Sequence, residues 1–162
     1  MPLHPSFVHF PIVLLILAGI IYLLDLILPN KKLGTIGFYL HVGGMLGIIA
    51  AILTGDYAEN NLVQTREIHD MIETHEQLGM LSAYAFGILG VWAYLRQKSN
   101  IVLEKIVFVV MFLGIIGVLS FTSHLGGRMV FEKGAGVVPM EPVLELQRNS
   151  PANGGHPLEE VE

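Results

Sequence analysis

Long apolar runs alternate with short polar turns along most of the chain. Four of these runs approach or exceed the ~20 residues that a helix needs to cross a hydrocarbon core of ~30 Å. They cover roughly residues 7–28, 34–54, 78–95 and 101–123. The third run is the shortest, and we expect it to borrow a turn from the polar, helix-like segment "TREIHDMIETHEQLG" before it. The pattern therefore predicts four membrane-spanning helices.

The connections between the runs predict how the helices are arranged. The turns "PNKKLG" and "RQKSN" are short, and short turns make consecutive helices antiparallel neighbours. We therefore predict an all-α integral membrane protein in which residues 1–138 form an antiparallel, up-down four-helix transmembrane bundle.

The segment after the fourth run has a different pattern. The glycines of "SHLGGRMVFEKGAGV" predict a tight turn, a short extended "RMVF" and a second turn. From Pro139 onward, prolines and glutamates accumulate, which is typical of chain that does not fold alone. Residues 139–162 are therefore predicted to form an acidic tail that is either extended or bound by a partner protein.

Composition supports the membrane assignment and excludes several kinds of site. Hydrophobic residues make up 52% of the chain and charged residues 14%, about half the charged fraction typical of soluble domains. The chain has no cysteine, so disulfides, thiolate metal sites and covalently attached haem are excluded. A net charge of −5 argues against a nucleic-acid partner, and the lipid bilayer is the partner that the sequence predicts.

Basic residues predict the orientation in the membrane. Five of them flank the two short turns: Lys31, Lys32, Arg96, Lys98 and Lys105. The positive-inside rule places these turns in the cytoplasm. Both termini and the 55–77 loop would then face outward, into the periplasm of a Gram-negative cell, and the protein would be a multi-pass protein of the bacterial cytoplasmic membrane.

Histidines cluster on one side of this predicted topology. Those expected at the outer membrane edge are His4, His9, His69, His75 and His124, whereas His41 lies deeper in the second run. Histidine in a membrane segment is costly and is by default a hypothesis of function. The alternative is a network of interfacial histidines and glutamates that satisfy one another without a cofactor.

Glycine stripes beside the histidines suggest a cofactor. Gly79 follows His75 at helical spacing, and Gly117 lies on the face of His124. Small residues also serve simple close helix packing. A flat macrocycle, however, needs an imidazole to hold its iron and small residues beside the ring.

These features predict a b-type haem near the outer face. His9 and His75 lie near the outer ends of helices one and three, which are diagonal in an up-down bundle, and would be the two axial iron ligands. His124 could replace either ligand, and Arg128 could neutralise a propionate. The corresponding function is a membrane-embedded electron-transfer subunit of a respiratory or photosynthetic complex rather than a stand-alone enzyme.

Other functions stay open at this point. The chain could be a cofactor-free accessory subunit of a larger membrane complex, docked through residues 139–162. It could instead form a proton or metal pathway that uses His41 and Asp25. A metal site at His69, Glu73 and Glu76, or a copper site of methionine and histidine, has weaker support because the spacing is not specific.

Several short motifs together resemble one family. The opening "HPSFVHFPIVLL", the later "LLDLIL", "TGDY" and "THEQLG", and the closing "LGGRMVFEKGAGV" are similar to the predicted bacterial membrane proteins called domain of unknown function 2231, over roughly residues 1–138. The resemblance implies four membrane helices, and association with cytochrome-like modules favours respiratory electron transfer.

The motif positions of that family include particular residues of this chain. They are His4, His9, Asp25, Asp56, His75, Gly126 and Gly127. Members often end in "YxHGxGV", whereas this chain reads "FEKGAGV", with Glu132 and Lys133 near the position of the late histidine. A role that needs a histidine ligand at that position is therefore not expected for this chain.

Overall fold

The structure is a computed structural model that describes residues 4–28, 31–99 and 101–150. Four long helices dominate it: α1 (His4–Ile27), α2 (Lys31–Glu59), α3 (Arg66–Leu95) and α4 (Val102–Phe131). All four are long and apolar enough to cross a membrane. The described residues contain no strand, and the predicted all-α, four-helix transmembrane fold is confirmed.

The helices form a closed ring of antiparallel neighbours. α1 packs against α2 and α4, and α3 packs against α2 and α4, so α1 and α3 are diagonal, as are α2 and α4. We call the end where α1 and α3 begin the His4 end, and the opposite end the Asp25 end. Both ends of the chain's described part therefore lie at the His4 end.

Apolar side chains cover the outside of the bundle as well as its inside. Leu53, Ile88 and Val110 are each more than 60% exposed, which would be unfavourable for a monomer in water. In a bilayer this surface meets lipid chains. The distribution of apolar residues thus agrees with the spans that the sequence predicts.

The closest helix pair is α1 and α2, because glycines on α2 accept bulky side chains from α1. A Cβ added to Gly37 would lie 2.9 Å from the Tyr22 ring, one added to Gly44 would lie 2.6 Å from Leu15, and one added to Gly47 would lie 3.0 Å from Pro11. The interlocking brings the two backbones together, as small residues do in membrane bundles.

The polar segment before the third apolar run is helical, as predicted. α3 begins at Arg66, and the side chain of Thr65 caps it by accepting a hydrogen bond from the Ile68 amide at 3.3 Å. Glu67 in the first turn adds a charge that favours the positive end of the helix dipole. α3 therefore carries His75 on the same rigid element as its membrane span.

The predicted break after the fourth run is wrong. α4 continues through Gly126 and Gly127 to Phe131, where a turn and an extended "RMVF" were expected. Glycine is well tolerated inside membrane helices, and the absent side chain of Gly126 is needed for packing against α3. The chain turns later, at Gly134 and Gly136, both with φ of 71°, a backbone conformation that favours glycine.

Part of the predicted tail is a helix. α5 (Glu141–Arg148) follows the turn, and its Leu144 is buried in a small cluster with Ile68, Ile72 and Ala135. An extended conformation was expected because the segment is rich in proline and glutamate, but Pro142 stands in the first turn of α5, where proline is favourable. The rest of the tail, residues 151–162, lies outside the described residues.

Candidate functional site at the His4 end

Two histidines from diagonal helices meet at the His4 end. The rings of His4 on α1 and His75 on α3 have centroids 6.3 Å apart and are nearly perpendicular, at 86°. Both side chains are half-buried. The bundle therefore brings together two imidazoles that are 71 positions apart in the sequence.

Each of these rings is held by a backbone carbonyl of a neighbouring helix. His4 Nδ1 lies 2.9 Å from the Ala51 carbonyl oxygen on α2, and His75 Nδ1 lies 2.9 Å from the Thr122 carbonyl oxygen on α4. A carbonyl oxygen only accepts hydrogen bonds, so each Nδ1 carries the hydrogen. In the neutral ring, each Nε2 then keeps its lone pair.

This arrangement is the one that metal-ligating histidines use. Such a histidine donates its other ring N–H to a carbonyl or carboxylate, which fixes the tautomer and orients the ring. Thr54 adds a second polar atom beside His4, with its Oγ1 3.3 Å from Nδ1. The hydroxyl is itself held by the Ala50 carbonyl oxygen at 2.8 Å.

Two glycines make room for the two rings. A Cβ added to Gly55 on α2 would lie 3.2 Å from His4 Cε1, and a Cβ added to Gly126 on α4 would lie 3.2 Å from His75 Cε1. Both distances are shorter than ordinary van der Waals contact. Each histidine thus has a carbonyl and a glycine on the helix beside it.

His9 does not face inward, and this prediction is wrong. Its side chain is exposed, and its Nδ1 donates to the Pro5 carbonyl oxygen of its own helix at 2.7 Å. At 3.6 residues per turn, residues five apart point about 140° away from each other. Because His4 faces the bundle, His9 faces outward and the predicted His9–His75 pair is not brought together.

The remaining predicted site residues lie on exposed or open parts of α3 and α4. His124 is exposed, and Arg128 forms an ion pair with Glu132 at 2.9 Å. A Cβ added to Gly79 or Gly117 would have no neighbour within 4 Å. These two glycines therefore leave open helix faces; they do not form a close helix contact.

The other predicted metal-binding side chains include two that already have hydrogen-bond partners. The described residues contain no group of three or more histidine, aspartate or glutamate side chains able to hold a metal ion. His69 Nδ1 pairs with Gln64 Oε1 at 3.0 Å, and Glu73 accepts from Gln77 at 3.1 Å.

The residues that sequence reasoning missed are the supports of the pair. Ala51 and Thr122 contribute only carbonyl oxygens, which leave no mark in a sequence. Gly55 does have a signal, since it stands in the "TGDY" motif, but that motif alone indicates a helix end. His4 was recognised as a motif residue and was placed at the interface instead of in the pair.

Comparison with protein families now adds to this geometry. The family model of the predicted membrane proteins DUF2231 matches residues 1–139, which include all four spans and both histidines of the pair. The chain belongs to the DUF2231 family. Neither the search of curated proteins nor the search of solved structures found a match. Membership of the DUF2231 family thus agrees with the resemblance that the sequence motifs indicate and with the membrane fold.

Proposed function

We propose that this DUF2231 protein holds a b-type haem between α1 and α3 and transfers electrons within the membrane. The observation that carries the proposal is the shared support of His4 and His75, whose Nδ1 atoms both donate to carbonyl oxygens. The haem iron would supply a one-electron carrier at the His4 end.

The chain's own residues would orient and shield such a group. The carbonyls of Ala51 and Thr122 fix both imidazoles and make their Nε2 atoms stronger donors to a metal. Gly55 and Gly126 let the rings lie against α2 and α4. Arg128, which is partly exposed next to Glu132, is the cation that could neutralise a propionate.

The ligand pair in this proposal differs from the one that the sequence predicts. His4 replaces His9, because only His4 lies beside His75. His124 stays outside the ligand set because its side chain is exposed. Single substitutions can therefore distinguish this ligand pair from the one that the sequence predicts.

The test is an absorption spectrum of protein purified in detergent, first oxidised and then reduced with dithionite. We expect a Soret band, and a sharp α-band on reduction, from protein produced with ample haem. His4→Ala and His75→Ala should each remove or strongly shift the α-band, since a bis-histidine site loses one axial ligand.

His9→Ala and His124→Ala are the matched controls, because both side chains are exposed. Both variants should keep the spectrum of the parent protein. A featureless spectrum from the parent protein would overturn the haem proposal. Loss of the band in His9→Ala but not in His4→Ala would overturn the ligand assignment alone.

A second proposal is an accessory subunit that docks to a larger membrane complex through its tail. It is favoured by apolar side chains that stay exposed at the His4 end, with Phe131 91% and Leu146 75% exposed. Deletion of residues 139–162 should release the protein from such a complex. Co-purification that survives the deletion would contradict docking through the tail.

A further inference from the structure

Two polar side chains lie in the apolar interior of the bundle, far along α1 and α2 from the histidine pair. Tyr22 is 2% exposed and His41 is fully buried. Their rings meet edge to face, with centroids 6.3 Å apart. Phe112 contacts both of them, at 5.2 Å from the Tyr22 ring and 5.0 Å from the His41 ring.

Each of these side chains has a buried polar atom without a protein partner. Among the described residues, neither the Tyr22 hydroxyl nor His41 Nδ1 has a hydrogen-bond partner. Leaving such an atom unsatisfied costs about 1–3 kcal/mol. Internal water molecules are the usual way in which proteins satisfy such groups.

The two atoms are complementary. His41 Nε2 donates to the Phe86 carbonyl oxygen at 3.0 Å, so in the neutral ring Nδ1 is an acceptor. The Tyr22 hydroxyl is a donor with further acceptor capacity. One water molecule can accept from the hydroxyl and donate to Nδ1, which satisfies both.

Charged groups lie at the Asp25 end of the bundle, beyond Tyr22. Asp25 follows Tyr22 by three positions on α1 and is 4% exposed. Lys105 on α4, which is 21% exposed, pairs with it at 2.9 Å. The Arg96 guanidinium lies 5.7 Å from the Tyr22 ring centroid, and Glu104 on α4 accepts from Trp92 at 3.0 Å.

Within this group, Arg96 carries a permanent positive charge beside the Tyr22 ring. Burial lowers the pKa of its guanidinium from the ordinary value, but arginine stays protonated throughout the physiological range. Asp25 and Lys105 form the ion pair at this end.

We propose that Tyr22 and His41 form a proton-exchange site in the core of the bundle. A buried water bridges Tyr22 Oη and His41 Nδ1, and protons reach it from the Asp25–Lys105 end. On loading, the water gives one proton to His41 Nδ1 and receives one from the Lys105 ammonium, which takes a proton from the aqueous phase in turn. Unloading reverses both transfers. The proposal is independent of haem binding.

The water bridge is tested by Tyr22→Phe. If the hydroxyl holds a water against His41, its removal should lower the thermal midpoint by about 2–4 °C, the shift expected for one lost hydrogen bond in a protein of this size. Tyr39→Phe is the matched control, since Tyr39 is 69% exposed. An unchanged or raised midpoint in Tyr22→Phe would overturn the bridge.

Proton exchange is tested by NMR on protein that carries ¹⁵N-labelled histidine in lipid nanodiscs. The His41 ring signals are assigned by their loss in His41→Gln, and their exchange with water is measured directly. Tyr22→Phe and Asp25→Asn should each slow this exchange about tenfold or more. Glu67→Gln, a change to an exposed side chain at the His4 end, should leave it unchanged.

Lys105→Met is a second route to the same test if Asp25→Asn does not fold. Exchange that is undetectable in the parent protein would overturn the proton-exchange site. Exchange that continues unchanged in Tyr22→Phe and in the Asp25-end variants would overturn the proposed path as well.

Discussion

At the scale of single residues, two adjacent glycines have different surroundings. A Cβ at Gly126 would press on His75, whereas one at Gly127 would have no neighbour within 4 Å. Both substitutions to alanine gain the same helix propensity, so this contribution cancels in the comparison. We expect Gly126→Ala to be less stable than Gly127→Ala by about 1 kcal/mol, the low end for overpacking.

Thermal unfolding of the two variants in the same detergent measures that difference. If haem is bound, Gly126→Ala should also change its α-band because the His75 ring must move. Equal stability of the two variants would mean that His75 can shift freely, and would contradict the tight support described for its ring.

The buried ion pair is a second feature at this scale. Lys105→Met removes the ammonium group that pairs with Asp25, whose side chain is 6% exposed. We expect the free energy of unfolding to fall by about 2 kcal/mol, within the range for a lost hydrogen bond to a charged group. Lys133→Met breaks the ion pair between Lys133 and the exposed Glu67 at the His4 end. It should lower the free energy of unfolding by well under 1 kcal/mol. Chemical denaturation of both variants makes the comparison.

The sequence shows which histidines lie at one end of the bundle but not which of them faces inward. His4 and His9 belong to the same helix, and a rotation of α1 by about 140° would exchange their roles. That rotation is set by packing against α2, where Leu15 lies on Gly44 and Pro11 on Gly47. Such pairings join distant parts of the chain, so hydropathy could not predict them.

At the scale of helices, the α1–α2 contact depends on glycines of α2 that lie against α1 side chains. Gly44→Ala places a Cβ 2.6 Å from Leu15 Cγ, at a fully buried side chain. We expect a loss of about 2 kcal/mol from overpacking. Gly114→Ala on α4, where an added Cβ has no neighbour within 4 Å, should be neutral or slightly stabilising.

Thermal midpoints of Gly44→Ala and Gly114→Ala provide the measurement. A Gly44→Ala variant as stable as the parent would show that α1 and α2 can move apart without loss of stability. The close α1–α2 packing would then contribute little to the stability of the fold.

The number and order of the membrane-spanning helices could be predicted because apolar length is a property of each segment alone. The ends of the elements were harder to predict. α4 runs past Gly126, since that glycine faces His75 rather than a turn, and α5 forms because Leu144 finds a buried place beside Ile68. Both outcomes depend on tertiary contacts.

At the scale of the whole molecule, the basic residues predict which end of the bundle faces the cytoplasm. The Asp25 end carries Lys32, Arg96 and Lys105, and we expect this end in the cytoplasm of a bacterial cell and the His4 end outside. The chain has no cysteine, so single cysteines can report each end without background.

We expect Asn61→Cys, at the His4 end, to react with a membrane-impermeant maleimide in spheroplasts. Gln97→Cys, at the Asp25 end, should react only after the membrane is permeabilised. Both positions are exposed, so access alone decides the result. The opposite labelling pattern would reverse the topology.

The chain position of the two paired histidines has a consequence for biogenesis. His4 belongs to the first helical hairpin, α1–α2, in which Gly37, Gly44 and Gly47 of α2 lie against side chains of α1. His75 belongs to the second hairpin, α3–α4. Membrane helices insert first and associate afterwards, so the first hairpin can close before the second is synthesised. The imidazole pair comes into being only when the two hairpins dock, which makes it a marker of completed assembly.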